Sequence, residues 1–536
     1  FPTRRSSDLV LTGCGGDKKE TAAAPAEANT TAAVTEAAKT EAETTAAAQT
    51  EAGGEKNLVM PSASCVANLN PLLEGYKEAA MLNPIYDPLY VIDVNETRYY
   101  LADSYEVSED GMQITVKLKE GVKWHDGEAI TADDMIFTMD VCSDTNNGAG
   151  GTNIVILNDQ PVKYEKVDDL TVKVTLPMAS ASYADLLGGL TLIPEHVFEG
   201  NPSVVSAGEA NMKGIGSGPY KVTEFKQDEY LLLEKYEDYY MGAPSIDKVT
   251  FRIISDLSAQ EVALMNGEVN FMELANAPAV AKYEADPNFT VVKYPEGRVN
   301  YLAVNKFCET VQDPKVVEAV FAALNRDEII AGAYGDGMAE SANSIFSNVN
   351  TFYDPSVEGY TQDVEKAKQL VKETGLDSKT LTLYFNSERV YMKESAQIIQ
   401  QQLKNVGINL EVIPLESAGF FEKVFGTDGD YEFYLNGYGA VGDPDQVVAG
   451  MYDGTWGVNL AVSDEVSQLW KDARTVYTPE ERAAIYKQIQ IQTRDELTCY
   501  PIAYPNYVFV TTSNIKGADT IKRTPVFEDY TKLTME

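Results

Sequence analysis

Histidine is nearly absent. The 536 residues hold two, His125 and His196, too few for a histidine-rich metal site. The five cysteines, Cys14, Cys65, Cys142, Cys308 and Cys499, are scattered and show no C-x-x-C spacing. That argues against a zinc ribbon and leaves a disulfide neither required nor excluded. Basic residues are scarce, 43 against 82 acids, for a formal net charge of −39. Residues 17–56 hold eight acids and four bases, so only −4 of this comes from the tail and the acidity belongs to the folded part. A surface of that sign argues against nucleic acid as the partner, which needs a basic face. It leaves the ligand open, because a pocket can differ in sign from the whole chain. No run approaches the ~18–20 apolar residues of a spanning helix.

What is present suits a soluble globular protein of two or three domains: 44% hydrophobic and 23% charged residues over a long chain. Leu11-Thr12-Gly13-Cys14 fits a bacterial lipobox, which makes Cys14 the expected lipidation site. The start lacks a basic segment and 7–15 apolar residues before the box. Residues 1–14 therefore read as the remnant of a lipoprotein signal whose true start is missing, with Phe1 to Asp8 foreign. Residues 15–56 are rich in Ala, Thr and Glu and cannot bury enough to order themselves. They read as a disordered tether.

The densest string of features is Leu101 to Asp140. Ile114, Val116 and Leu118 alternate as a half-buried strand. Gly111, Gly121 and Asp126-Gly127 mark turns. Thr131 is placed to cap a helix whose first turn carries Asp133 and Asp134. Trp124-His125-Asp126 invites a catalytic reading. Adjacent His and Asp on one turn do not place a carboxylate behind the imidazole of a nucleophile, and no G-x-S-x-G accompanies them, so an enzyme is not expected.

Further along, Leu381–Phe385, Met392–Asn405 and Ile408–Ile413 read as a βαβ unit with parallel strands. Asp313-Pro314 opens a helix expected to run to about Ile330. A strand is expected over Tyr431 to Leu435, helices near 463–475 and 479–494, and a last strand over Tyr500 to Val510. In open α/β sheets ligands gather beyond the C-terminal ends of strands. That rule nominates Asn386 to Arg389, Pro414-Leu415 and Asn436 to Tyr438, with Ser64 to Asn68 as the opposing loop.

The string L-A-D-S-Y-E-V-S-E-D-G, then G-V-K-W-H-D-G-E-A-I-T-A-D-D-M, resembles the signature of family 5 solute-binding proteins of ABC importers, the dipeptide, oligopeptide and nickel-binding group. Ile193-Pro194-Glu195-His196-Val197, Gly216-Ser217-Gly218-Pro219-Tyr220, Ile246-Asp247-Lys248-Val249 and Gly267-Glu268-Val269-Asn270 match later motifs in the family's order, so the resemblance spans about residues 58–536. It implies an α/β, two-lobed periplasmic-binding-protein-like fold of type II, with an extra inserted subdomain and a ligand cleft between the lobes. Lobe I is expected at 57–96, 215–297 and 498–536, the inserted subdomain at 97–214 and lobe II at 298–497, with three hinge passes. The string from Leu101 to Asp140 then falls in the inserted subdomain, away from most strand-end contacts.

The resemblance further implies an extracytoplasmic protein, lipid-anchored to the outer face of the membrane. It would capture a peptide or peptide-like solute and deliver it to an ABC permease driven by its ATPase subunits, without a cofactor. Chelated nickel or an oligosaccharide as the solute, or a sensor role, stays open. In dipeptide-binding members the run matching Asn436 to Asp445 carries an acid that pairs with the peptide's α-amine. Here Tyr438 replaces Trp, the run is one residue shorter, and Ala440 and Val441 stand where the acid is expected. Asp443 and Asp445 match later positions, either to shift into that role or to cap a turn with Pro444. Arg298 and Tyr301 face the cleft by their location in the family. Trp456 either stacks on a ligand or fills the core. The expected ligand-binding set is Asn68, Arg298, Tyr301, Asn386, Arg389, Tyr438, Asp443 and Trp456.

Overall fold

The computed structural model describes residues 55–73, 81–92, 96–203, 208–439, 442–452, 460–520 and 529–536. The first strand, β1 (Asn57–Ser62), buries Leu58 and Met60. The chain then enters a separate antiparallel sheet of β2 (Ala102–Val107), β3 (Gln113–Leu118), β4 (Lys163–Asp168) and β5 (Thr171–Thr175), in the order β2-β3-β5-β4. Ile114, Val116 and Leu118 are buried with Val172 and Val174 against the helix Ala132–Ser143. Thr131 caps that helix, and Asp134 returns the bond by accepting from the Thr131 N–H at 2.9 Å.

The chain next returns to β1. Strands β6 (Tyr220–Lys226), β7 (Tyr230–Lys235) and β8 (Lys248–Ile253) form a sheet ordered β1-β8-β7-β6, with β1 and β8 parallel. Two more strands follow, the short β9 (Phe271–Glu273) and β10 (Phe289–Pro295).

A larger sheet is built from β11 (Arg298–Val304), β12 (Ala339–Ser341), β13 (Thr380–Asn386), β14 (Asn409–Leu415), β15 (Phe433–Gly439) and β16 (Cys499–Thr512). The βαβ unit is β13, the helix Val390–Asn405 and β14, which pair in parallel. Strand β15 is parallel to β13 and antiparallel to β11. The C-terminal ends of β13, β14 and β15 therefore share one edge with the N-terminal end of β11. Apolar clusters cover both faces. Val316, Leu370 and Ile399 lie on one side, and Phe420, Trp470 and Tyr486 on the other.

Strand β16 belongs to both lobes. Its Cys499–Ala503 half pairs with β11, and its Asn506–Thr512 half pairs with β10. Strand β10 runs into β11 through Glu296-Gly297. Among the described residues the lobes are thus joined by two adjacent crossings, at 296–297 and 504–506. Both lie beside the N-terminal end of β11, so the edge where the strand ends collect faces the hinge. The expected helix from Pro314 to Ile330 is two helices, Pro314–Ala323 and Arg326–Ala333. Leu324 is extended, and the Asn325 side chain accepts from the Glu328 N–H to cap the second helix.

Candidate functional site

Strand β11 sorts its side chains by alternation. Leu302 and Val304 join the cluster on one face, and Val299, Tyr301 and Ala303 join the cluster on the other. Arg298 and Asn300 share the parity of Leu302 and sit at the hinge end. Arg298 Nε donates to Asn300 Oδ1 at 3.1 Å, and its Nη2 donates to the Gly437 carbonyl at 2.7 Å. Asn300 is buried, and its Nδ2 donates to the Tyr334 hydroxyl at 2.8 Å. The Tyr334 ring stacks on Tyr391, 5.3 Å between centroids at 28°. The Tyr391 hydroxyl accepts from Arg389 Nη1 at 3.4 Å. A continuous path Arg298–Asn300–Tyr334–Tyr391–Arg389 thus runs along the strand-end edge.

Tyr334 follows the helix Arg326–Ala333 and packs against apolar clusters of both lobes, so it stands at their junction. Burial pushes its phenol well above the ordinary range, which keeps it neutral. Its oxygen already accepts from Asn300, and its own proton remains to donate. Gly437 makes the arrangement possible. A Cβ there would lie 2.0 Å from Asn300 Oδ1 and 3.0 Å from Arg298 Nε, so any larger residue pushes both side chains off the strand. Neither arginine forms an ion pair among the described residues. Planar guanidinium donors suit a carboxylate or successive peptide carbonyls, the tyrosines suit stacking, and Asn300 supplies both donor and acceptor. Among the described residues no three His, Cys, Asp or Glu side chains are grouped to hold a metal ion.

A family model described as bacterial extracellular solute-binding proteins, family 5 middle, matches residues 96–459. The chain belongs to this family. It is a solute-binding protein of ABC transport type rather than an enzyme, and it acts outside the cytoplasm. It is 27% identical over 499 residues to the dipeptide-binding protein of Escherichia coli K12, covering 86% of this chain and 92% of that one. It superposes on the ABC transporter substrate-binding protein CtaP of Listeria monocytogenes with a TM-score of 0.83 and 33% identity, covering 90% and 99% of the two chains. The oligopeptide-binding protein AppA of Bacillus subtilis, solved with a nonapeptide, gives a TM-score of 0.70 at 26% identity, covering 90% and 99%. These neighbours share the two-lobed fold with a cleft between the lobes.

In this family 5 protein the expected ligand-binding residues are not gathered in one place. Arg298 and Arg389 are linked through the two tyrosines. Tyr301 has the opposite parity on β11 and is buried, its ring 5.2 Å from Tyr438. Tyr438 is buried too and donates to the Ile345 carbonyl at 2.6 Å. Strand β15 continues to Gly439, four residues beyond the expected end at Leu435, so Asn436 to Tyr438 are ladder positions rather than a loop. Asn386 is buried. It donates to Ser417 Oγ at 2.9 Å and accepts from the Glu388 N–H, fixing the end of β13. Asn68, across the hinge in lobe I, accepts from the Asn70 N–H at 2.8 Å. Cys14, Ala440, Val441 and Trp456 lie outside the described residues.

Asp443 is buried and held by both arms of Arg482, at 2.6 and 2.9 Å. Asp445 accepts from Arg474 Nε at 2.5 Å and from Ser182 Oγ at 2.8 Å. Ser182 belongs to the inserted subdomain, as does Asp185, whose carboxylate accepts from the Asp443 N–H at 2.9 Å. Burial pushes the Asp185 carboxyl up to about 6. At the same seam Tyr477 lies over Gly111 so closely that a Cβ would fall 2.0 Å from its ring, and Gly111 has φ +65°. The inserted subdomain therefore does not stand apart from the strand-end region. It meets lobe II through the same run that ends β15. The residues missed by sequence reasoning are Asn300, Tyr334 and Tyr391. The available signals were the Arg-x-Asn alternation at the start of β11 and a Tyr two residues after Arg389.

Proposed function

We propose that this protein captures a peptide or peptide-like solute between its lobes and hands it to a membrane permease powered by a partner ATPase. Cys14 is the proposed lipid attachment, tethered through residues 15–56. Lobe I is assigned to 57–96, 215–297 and 498–536, the inserted subdomain to 97–214 and lobe II to 298–497. The observation that carries the reading is the Arg298–Asn300–Tyr334–Tyr391–Arg389 path at the strand-end edge beside the hinge. Its donors suit peptide carbonyls and a terminal carboxylate. Asn68, in its loop, and Asn386, at the end of β13, are further proposed contacts. Trp456 is a further proposed contact. Tyr301 and Tyr438 support β11 and β15 from behind, and Asp443 fixes the turn between the cleft and the inserted subdomain. Relatives named for dipeptides and oligopeptides support the ligand class.

The test is mass spectrometry of what co-purifies under native conditions, followed by thermal melts against a peptide library. Peptides bound in the purified protein are expected, with a melting midpoint that rises with ligand. Saturation at about 100 times Kd adds about 2.7 kcal/mol. Gly437→Ala is expected to weaken binding at least about tenfold, roughly 1.4 kcal/mol, and to lower the ligand-free melting midpoint as well, because the buried Asn300 is displaced with Arg298. A chelated metal or a saccharide in place of peptide overturns the reading.

A further inference from the structure

A cavity of about 460 Å³ lies between the inserted subdomain and lobe II, apart from the arginine–tyrosine path. Its subdomain wall carries Tyr105, Val107 and Ala184, and its lobe II wall carries Thr351, Phe352 and Tyr477. The volume is in the range of small-ligand sites. The floor is the Asp443–Arg482 pair. Arg482 is already satisfied there, with its guanidinium 4.9 Å from the Phe352 ring and its Nε on the Ala473 carbonyl. The walls therefore offer mainly aromatic and aliphatic surface, with Ser108, Glu109, Ser180 and Asp185 as the polar lining, and the Asp443–Arg482 pair at the floor is spent.

Two observations join this cavity to the cleft. Its walls come from both sides of the seam, so it is complete only when the inserted subdomain and lobe II are together, as a ligand-closed form requires. It is also close. Gly442 lines the cavity, and Gly439 is the register partner of Arg298 on β15. Only three Cα–Cα steps separate Gly439 from Gly442, which bounds the distance at about 11 Å. An extended peptide advances about 3.3 Å per residue, so three to five residues span from Arg298 to the cavity.

We propose that this cavity is a side-chain subsite of the ligand cleft, taking one apolar or aromatic side chain of the captured peptide three to five residues from the group held at Arg298. The assignment rests on the peptide reading above. It makes the inserted subdomain part of ligand selection, through Tyr105, Val107 and Ala184.

The probes are penta-alanine and five variants of it carrying one phenylalanine at each position in turn. Affinities are measured by calorimetry on the purified full chain. The wild type is expected to bind one of the five at least tenfold more tightly than penta-alanine. Thr351→Phe, at an exposed position on the cavity rim, and Ala184→Leu, in its wall, are each expected to bring that ratio close to one. Thermal melts show whether each variant is folded, and the rim variant keeps the test valid if the wall variant is not. Peptide binding with no positional preference, or a preference that survives both substitutions, overturns the subsite and leaves the peptide reading standing. No binding of any peptide overturns both.

Discussion

Asp443 is the residue whose role depends most on its partner. From sequence it is an acid in Gly-Asp-Pro-Asp, expected either to shift into an amine-pairing role or to cap a turn with Pro444. In the fold both its oxygens face Arg482, 39 residues further on, and Tyr486 lies against the same pair. A buried guanidinium left without its carboxylate typically costs about 3–5 kcal/mol. Asp443→Ala is therefore expected to lower unfolding free energy by about that amount in a urea titration. Adding Arg482→Leu should restore most of it, since the uncompensated charge then goes too. If instead the single variant melts like the wild type and only loses peptide, Asp443 is a ligand anchor. The two arginines of the cleft path differ from Arg482, because among the described residues neither has an acid opposite it.

At the scale of elements, the Trp124-His125-Asp126 turn shows how a motif that looks chemical can be structural. His125 Nδ1 accepts from the Gly216 N–H at 3.2 Å, and its Nε2 donates to the Gly218 carbonyl at 2.9 Å. The ring ties the turn to the Gly216-Ser217-Gly218 loop and has room for one proton only. Burial holds it down at about 4, against 6.5 when exposed. A histidine kept neutral by the fold stabilises fully above about pH 6.5, and the contribution fades as pH falls towards 4. The gap is worth about 3 kcal/mol. Asp87 acts in the opposite direction. Burial pushes its carboxyl up to about 7 although Tyr239 and Tyr240 donate to it, so its penalty grows as pH rises through that range. Comparison with His125→Gln isolates the histidine. The wild type should lose about 2–3 kcal/mol more than the variant between pH 7 and 4.5, and equal losses would sink the idea.

The same scale separates what was legible from what was not. The alternation of Ile114, Val116 and Leu118, the Thr131 cap and the βαβ unit are local patterns, and the fold keeps them. The end of β15 was missed because Gly437 and Gly439 read as loop, whereas Gly437 is there to let Arg298 and Asn300 lie across the strand. Tyr438, expected at the cleft as the replacement for a Trp, is therefore a buried ladder position. Tyr334 and Tyr391 meet only through packing of separate helices, so no periodicity in the sequence joins them.

Across the whole molecule the excess of 39 negative charges sets self-repulsion against many surface ion pairs. Pairs such as Lys166–Asp133 and Lys366–Glu318 are exposed, and such pairs contribute about 0–1 kcal/mol each. Repulsion acts over the whole surface and should dominate at low salt, where the Debye length is about 30 Å at 0.01 M against about 8 Å at 0.15 M. The melting midpoint is expected to rise by a few degrees when sodium chloride is raised across that interval. A fall would mean that the ion pairs outweigh the repulsion.

Strand β16 has a consequence for the order in which the molecule can assemble. Its two halves complete ladders in both lobes, and among the described residues no earlier strand takes the place of either half. A growing chain that has not yet reached residues 499–512 therefore lacks a central strand in each lobe at once. Neither lobe can mature early and wait for the other. The two lobes therefore complete these ladders only after residues 499–512 have been made, whereas the sheet of residues 102–175 draws on earlier chain alone.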